Sequence, residues 1–175
     1  MPQIFDNIEK HLLSALSDAM GLSERADFCV GYFNLRGWQK VDSLVEKWPG
    51  EDGHCCRLLV GMQQMPQDQL RSAMSLIKGE DQIDQATAIV LKRKLAQDFR
   101  DQLTIGMPTN DDEEGLRRLA AQITSKKLIV KLFLRHPLHA KLYLCFRQDS
   151  LNPTIGYLGS SNLTLAGLAK QGELN

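Results

Sequence analysis

Residues 26–62, ADFCVGYFNLRGWQKVDSLVEKWPGEDGHCCRLLVGM, decide the fold class. The opening run Ala26-Asp27-Phe28-Cys29-Val30-Gly31-Tyr32-Phe33 is rich in β-formers and reads as a strand. From Leu35 to Trp48 the apolar residues Trp38, Val41, Leu44, Val45 and Trp48 return at helical spacing, and Pro49-Gly50 closes the segment. A second buried strand follows from Arg57 to Met62. Strand, helix and strand, with a crossover of about twenty residues, imply parallel neighbours and an α/β layer fold.

Working outward, Ile4, Phe5, Ile8, Leu12, Leu16 and Met20 predict an opening helix that stops at Gly21. Beyond the central unit, Asp68 to about Arg100 has helical spacing, divided by Gly79. A loop at Gly106-Met107-Pro108-Thr109 precedes Asn110-Asp111-Asp112-Glu113-Glu114, which reads as a capped helix start or, alternatively, as an acidic contact patch. The carboxy-terminal third turns to strands, at Leu128–Leu134, Leu138–Phe146 and Thr154–Gly159, before a short helix-like segment from Asn162 to Leu168. No repeat or low-complexity stretch interrupts this order, so residues 1–175 read as a single domain.

Composition excludes several classes. The chain is 43% apolar and 24% charged, and its 21 basic and 21 acidic residues cancel. Disorder needs low hydrophobicity with large net charge, and a membrane span needs about 18 or more unbroken apolar residues; neither pattern is present. The amino terminus lacks the basic start and apolar core of a secretion signal, so a cytoplasmic location and no membrane partner are expected. Cys29, Cys55, Cys56 and Cys145 sit in apolar, strand-like runs without metal-finger spacing and read as buried thiols. Charge is uneven: residues 1–125 hold 14 basic and 19 acidic side chains, whereas residues 126–175 hold 7 and 2. An anion is therefore drawn to the last fifty residues.

That region carries the candidate chemistry. Strand periodicity from Leu138 to Arg147 places His139, Lys141, Tyr143, Cys145 and Arg147 on one face and Leu138, Ala140, Leu142, Leu144 and Phe146 on the other. An imidazole serves as nucleophile or proton carrier at neutral pH, and an adjacent ammonium holds an anion. The strand ending at Gly159 runs into Ser160-Ser161-Asn162 and a helix-like segment, where free N–H groups and small polar side chains either bind phosphate or simply cap the helix.

Together, His139-Ala140-Lys141 and Gly159-Ser160-Ser161-Asn162 resemble the phospholipase D superfamily, whose signature is H-x-K followed, after a strand and a loop, by a G-S/G-x-N turn. The family's single-motif nuclease branch also has a carboxylate about eleven residues beyond the asparagine, where Glu173 stands. More narrowly, the chain resembles the phospholipase D-like domain that precedes the motor of some bacterial helicases, which implies that residues 1–175 are an amino-terminal excerpt of a longer protein. The fold implied is a mixed sheet flanked by helices on both faces. One departure stands out: the fuller motif has an aspartate seven residues after the histidine, and this chain has Phe146. That weighs against the lipid-cleaving two-motif enzymes more than against the nuclease branch.

The resemblance implies roles. His139 attacks phosphorus to give a phosphohistidine, while the equivalent histidine of a second motif protonates the leaving oxygen. Lys141, Asn162 and Ser160 stabilise the non-bridging oxygens, Glu173 orients His139, and neither metal nor cofactor is required. With one motif per chain, a homodimer must join two half-sites. The expected substrate is DNA and the expected covalent partner a helicase motor.

Ser161, Tyr143 and His136 are secondary candidates for substrate binding: Tyr143 as a base-stacking ring, and His136 as a phosphate contact or a solvated loop residue. Arg135, Lys131 and Arg147 read either as a basic rim that steers a polyanion or as ordinary solvated side chains. His54 and His11 read as surface groups, and Trp38 and Trp48 as core. Two rival readings remain: a catalytically inactive DNA-binding or dimerisation module, and a hydrolase of phospholipids or small phosphodiesters. The absence of an amphipathic stretch rich in Lys and Trp counts against the latter.

Overall fold

Alternation builds the central strand. Ala26, Phe28 and Val30 are buried and the residues between them are not, the signature of a strand with one face on a core. The computed structural model describes residues 3–5, 10–50, 53–61, 85–104, 109–134 and 137–169. Its strands are β1 (Arg25–Val30), β2 (Cys56–Val60), β3 (Leu128–Leu132), β4 (Lys141–Phe146) and β5 (Thr154–Leu158), in the spatial order β3-β2-β1-β4-β5. The β1–β2 pair is parallel, as the crossover predicts, and β2–β3 is parallel too, whereas β4 and β5 are added antiparallel on the other side of β1. The fold is mixed α/β with a mixed sheet and, among the described residues, six helices: α1 (Leu12–Gly21), α2 (Leu35–Trp38), α3 (Asp42–Val45), α4 (Gln85–Leu103), α5 (Asn110–Thr124) and α6 (Leu165–Ala169).

Register aligns one continuous apolar face. Ala26 lies opposite Cys56 and Cys145, and Phe28 lies opposite Leu58 and Tyr143. Each of the six described helices contributes to the cluster on that face, through Leu16, Trp38, Val45, Leu103, Leu119 and Leu168. Burial of each large side chain is worth about 1.5–3 kcal/mol, which makes this cluster the main stabilising feature. The opposite face differs. Cys29, Leu59, Ile129, Leu142 and Leu144 are only half-buried, and Asp27 forms ion pairs with Arg57 and Arg25 there. Among the described residues the helices meet the first face, and the second carries the ion-paired Asp27 and half-buried side chains. Cys29 is half-exposed there, while the other three thiols are buried as expected.

Several boundaries differ from the sequence reading. The single helix expected over 35–48 is two short ones, broken where Val41 leaves helical geometry at φ −128°. These helices are tied down by tertiary bonds instead: the Trp38 indole donates to Gln122 Oε1 at 2.9 Å, and Arg118 donates to Asp42 at 3.0 Å. The acidic run at 110–114 does start a helix, but its cap is Thr109, whose side chain and that of Asp112 complete a reciprocal capping box. The proposed helical stretch from 68 to 84 lies outside the described residues, and the opening helix, expected to include Ile4 and Phe5, begins only at Leu12, after His11 in extended geometry.

Candidate active site

Glycines follow both amino-proximal parallel strands, and close approach explains them. A Cβ on Gly61 would stand 2.6 Å from the Gly31 carbonyl oxygen and 3.0 Å from Leu138 Cβ. A Cβ on Gly31 would drive into the Leu138 carbonyl oxygen. The segment 137–140 is thus laid directly over the carboxyl ends of β1 and β2, and β4 starts from it, with Lys141 opposite Val30. The connection from β1 leads to β2 on one side, while antiparallel β4 enters on the other side of β1 at this same end of the sheet.

The turn after β5 covers this end of the sheet. Gly159 N–H donates to the Lys141 carbonyl at 3.2 Å, and Leu163 then bridges to Phe33 while Asn34 N–H donates to the Leu163 carbonyl at 3.2 Å. The chain therefore crosses from the edge strand β5, past the start of β4, to the extension of β1. The Tyr143 hydroxyl supports the crossing by donating to the Ser161 carbonyl at 2.8 Å.

Three predicted residues converge at this point. The position a Gly31 Cβ would occupy lies 3.5 Å from His139 Cα and 3.4 Å from Asn162 Oδ1. His139 is exposed. Asn162 Oδ1 accepts from the Tyr32 backbone N–H at 3.0 Å, which fixes the amide so that its NH₂ end is the donor left for a ligand. The Lys141 ammonium donates to the His139 carbonyl at 3.0 Å, spending one of its three protons on the motif's own backbone. The backbone of exposed His139, the Lys141 ammonium and the Asn162 carboxamide therefore lie on adjacent segments, residue types able to hold a tetrahedral oxyanion.

The other candidates divide. Ser160 is exposed on the crossing turn, next to Asn162. Ser161 is fully buried and Tyr143 is 1% exposed, so neither is placed to touch a substrate; the ring of Tyr143 packs edge-on to Phe28 at 5.0 Å instead of stacking on a base. Alternation sends this side chain to the apolar face, where it belongs to the core. Neither Ser161 nor Asn162 caps the helix that follows, since α6 begins at Leu165 and Thr164 Oγ1 accepts from Gly167 N–H at 3.0 Å. The donors offered to an anion are consequently side chains and not a helix end. His136, Arg135 and Glu173 lie outside the described residues.

Arg147 leaves the expected basic rim: it sits past the far end of β4 and holds the β4–β5 turn by donating to the Asn152 carbonyl at 2.8 Å. Phe146 is at that far end too, beneath the Arg25 guanidinium at 3.9 Å. His54 is near Glu24 at 3.8 Å, away from the site, and exposed His11 precedes α1. Trp38 and Trp48 are core, as read.

Sequence reasoning did not find Gly31, Gly61 or the Tyr32 N–H. A glycine directly after each parallel strand, Val30-Gly31 and Val60-Gly61, was the available signal. Among the described residues, no group of three or more His, Cys, Asp or Glu side chains could hold a metal ion, and no helix is long and apolar enough to cross a membrane. No protein-family model matches the chain, and no curated protein matches it.

Proposed function

We propose that this chain is a metal-independent phosphodiesterase of the phospholipase D type that acts on DNA, each copy supplying half of an active site that a homodimer completes. The observation that carries the reading is the convergence of His139 and Asn162 on Gly31, with Lys141 one strand register away. Residues twenty or so apart in sequence meet only because the turn after β5 crosses the start of β4.

In this mechanism His139 attacks phosphorus, forming a P–N bond as the P–O bond to the leaving nucleotide breaks. His139 of the second copy gives the leaving oxygen its proton. Water then attacks phosphorus, that same histidine takes the water's proton, and the P–N bond breaks to restore free His139. Lys141, Asn162 and Ser160 offset charge on the non-bridging oxygens, an effect worth about 3–4 kcal/mol for one well-placed donor. The Phe146 departure does not weaken the proposal, since that position is at the opposite end of β4 from His139 and Lys141. Modest overall charge fits a module that works beside another DNA-binding unit, such as a helicase motor in a cytoplasmic protein.

Cleavage of single- and double-stranded DNA in excess chelator tests the reading. Activity in wild type that disappears in His139→Ala and in Lys141→Ala supports it. Binding of DNA without cleavage by any of the three indicates the inactive module, and turnover of a lipid headgroup in place of DNA indicates the lipid enzyme. Sedimentation that finds only monomer at micromolar concentration removes the composite site.

A further inference from the structure

We infer that the exposed basic turn Lys92-Arg93-Lys94 on α4 is a polynucleotide track leading to the His139–Asn162 site, and that the substrate is therefore a polymer that extends past the scissile phosphate toward β3. The inference rests on the nuclease reading above and states where the bound strand lies.

The placement comes from the buried stripe of α4. Leu95 packs with Leu91, Phe99, Leu132 and Leu134, so the middle of the helix lies over the carboxyl end of β3. Toward its own carboxyl end the helix meets the segment after β1: Phe33 stacks with Phe99 at 6.2 Å, and the Tyr32 hydroxyl donates to the Gln102 carbonyl at 3.3 Å. Tyr32 is the residue whose backbone N–H holds Asn162. The helix thus runs from the site outward along the same end of the sheet. Because β3 is two strands from β1, the basic turn stands on the order of 10 Å to the side of the site. With one charge about every 3.4 Å along a strand of duplex, that is a reach of a few nucleotides.

Charge and exposure fit a polyanion. Residues 85–97 carry three basic side chains and no acidic one, and the rest of α4 carries Arg100 with Asp98 and Asp101, for a net +2 along the helix. Lys92, Arg93 and Lys94 are exposed, and neither Lys92 nor Arg93 has an ion-pair partner among the described residues. These cations are within residues 1–125, whose net charge is negative, so composition hides them. They take the place of Arg147, which the fold sends to the wrong end of the sheet.

The experiment measures binding of a fluorescent 20-nucleotide single strand and its duplex across salt concentrations, without requiring cleavage. The proteins are wild type, Lys92→Ser/Arg93→Ser, and Lys126→Asn, which removes one charge at the opposite end of β3. The double variant is expected to bind about tenfold more weakly, with a slope of log affinity against log salt shallower by about 1.4 on the single strand and 1.8 on the duplex. Lys126→Asn is expected to match wild type. An unchanged affinity and slope in the double variant overturns the track, as does equal loss in Lys126→Asn or binding to anionic lipid vesicles but not to DNA. Hydrolysis of bis(p-nitrophenyl) phosphate, which is too small to reach α4, is read in parallel: it should survive in the double variant and vanish in His139→Ala. Failure of that readout alone overturns the nuclease reading while leaving the DNA track measured.

Discussion

The backbone N–H of Tyr32 donates to Asn162 Oδ1 at 3.0 Å across 130 residues of sequence, and this bond joins the end of β1 to the turn that follows β5. It makes Asn162 both a structural acceptor and a candidate ligand donor, and substitution can separate the two. Asn162→Ala leaves a partly buried N–H without a partner and should cost about 1–2 kcal/mol. Asn162→Asp keeps the acceptor but sets a negative charge against the phosphate. Its melting temperature should stay near wild type, while DNA cleavage falls at least about a hundredfold. Equal cleavage by Asp and Asn variants would remove Asn162 from the anion site.

Gly31 and Gly21 make an internal comparison. A methyl group at Gly31 meets the Leu138 carbonyl, whereas at Gly21 nothing lies within 4 Å. Gly31→Ala should destabilise by about 2–4 kcal/mol and displace His139, so urea unfolding shifts down and cleavage is lost. Gly21→Ala, at the last position of α1, should be neutral or stabilise by up to about 1 kcal/mol.

Tyr143→Phe tests the reassignment of that ring from substrate to core. The lost bond to the Ser161 carbonyl is buried, so unfolding should become easier by about 1–2 kcal/mol. Oligonucleotide affinity should stay within about twofold in the same protein, because the ring does not reach the surface. A large loss of affinity without loss of stability would restore the stacking role.

Acid sensitivity should trace in part to Asp112. Its bond from Arg36 first, and then its capping bonds from Thr109, lower its carboxyl to about 2. A depressed carboxyl contributes stability that is complete above the ordinary carboxylate range and is lost as pH falls toward the folded value. Wild type should therefore lose stability between about pH 4 and pH 2 more steeply than Asp112→Asn, which has less left to lose. Chemical unfolding across that range measures the difference, and parallel curves would exclude the linkage.

Element type was legible wherever a single periodicity ran unbroken. The alternating run at 26–30, the apolar run at 57–60 and the acidic start near 110 all sit where the pattern puts them. Periodicity failed over 35–48, since Trp38 and Val45 keep helical spacing while the backbone between them turns. It also overextended the His139 strand: residues 137–140 lie across two glycines and have no regular partner, so β4 starts at Lys141.

Sequence by itself determined the residue types that can do phosphate chemistry, His139 and Lys141 two positions apart and Asn162 after a glycine turn, because spacing along the chain is a covalent fact. It also determined the parallel arrangement of β1 and β2, since a helical crossover leaves few other connections. Only the tertiary structure decided that the turn after β5 crosses to β1, that Tyr143 and Ser161 face inward, and that Arg147 lies at the far end of β4. Those outcomes depend on which face of a strand is buried and on how closely two backbones approach at a glycine. Both are set by contacts between segments far apart in the chain, which no local pattern records.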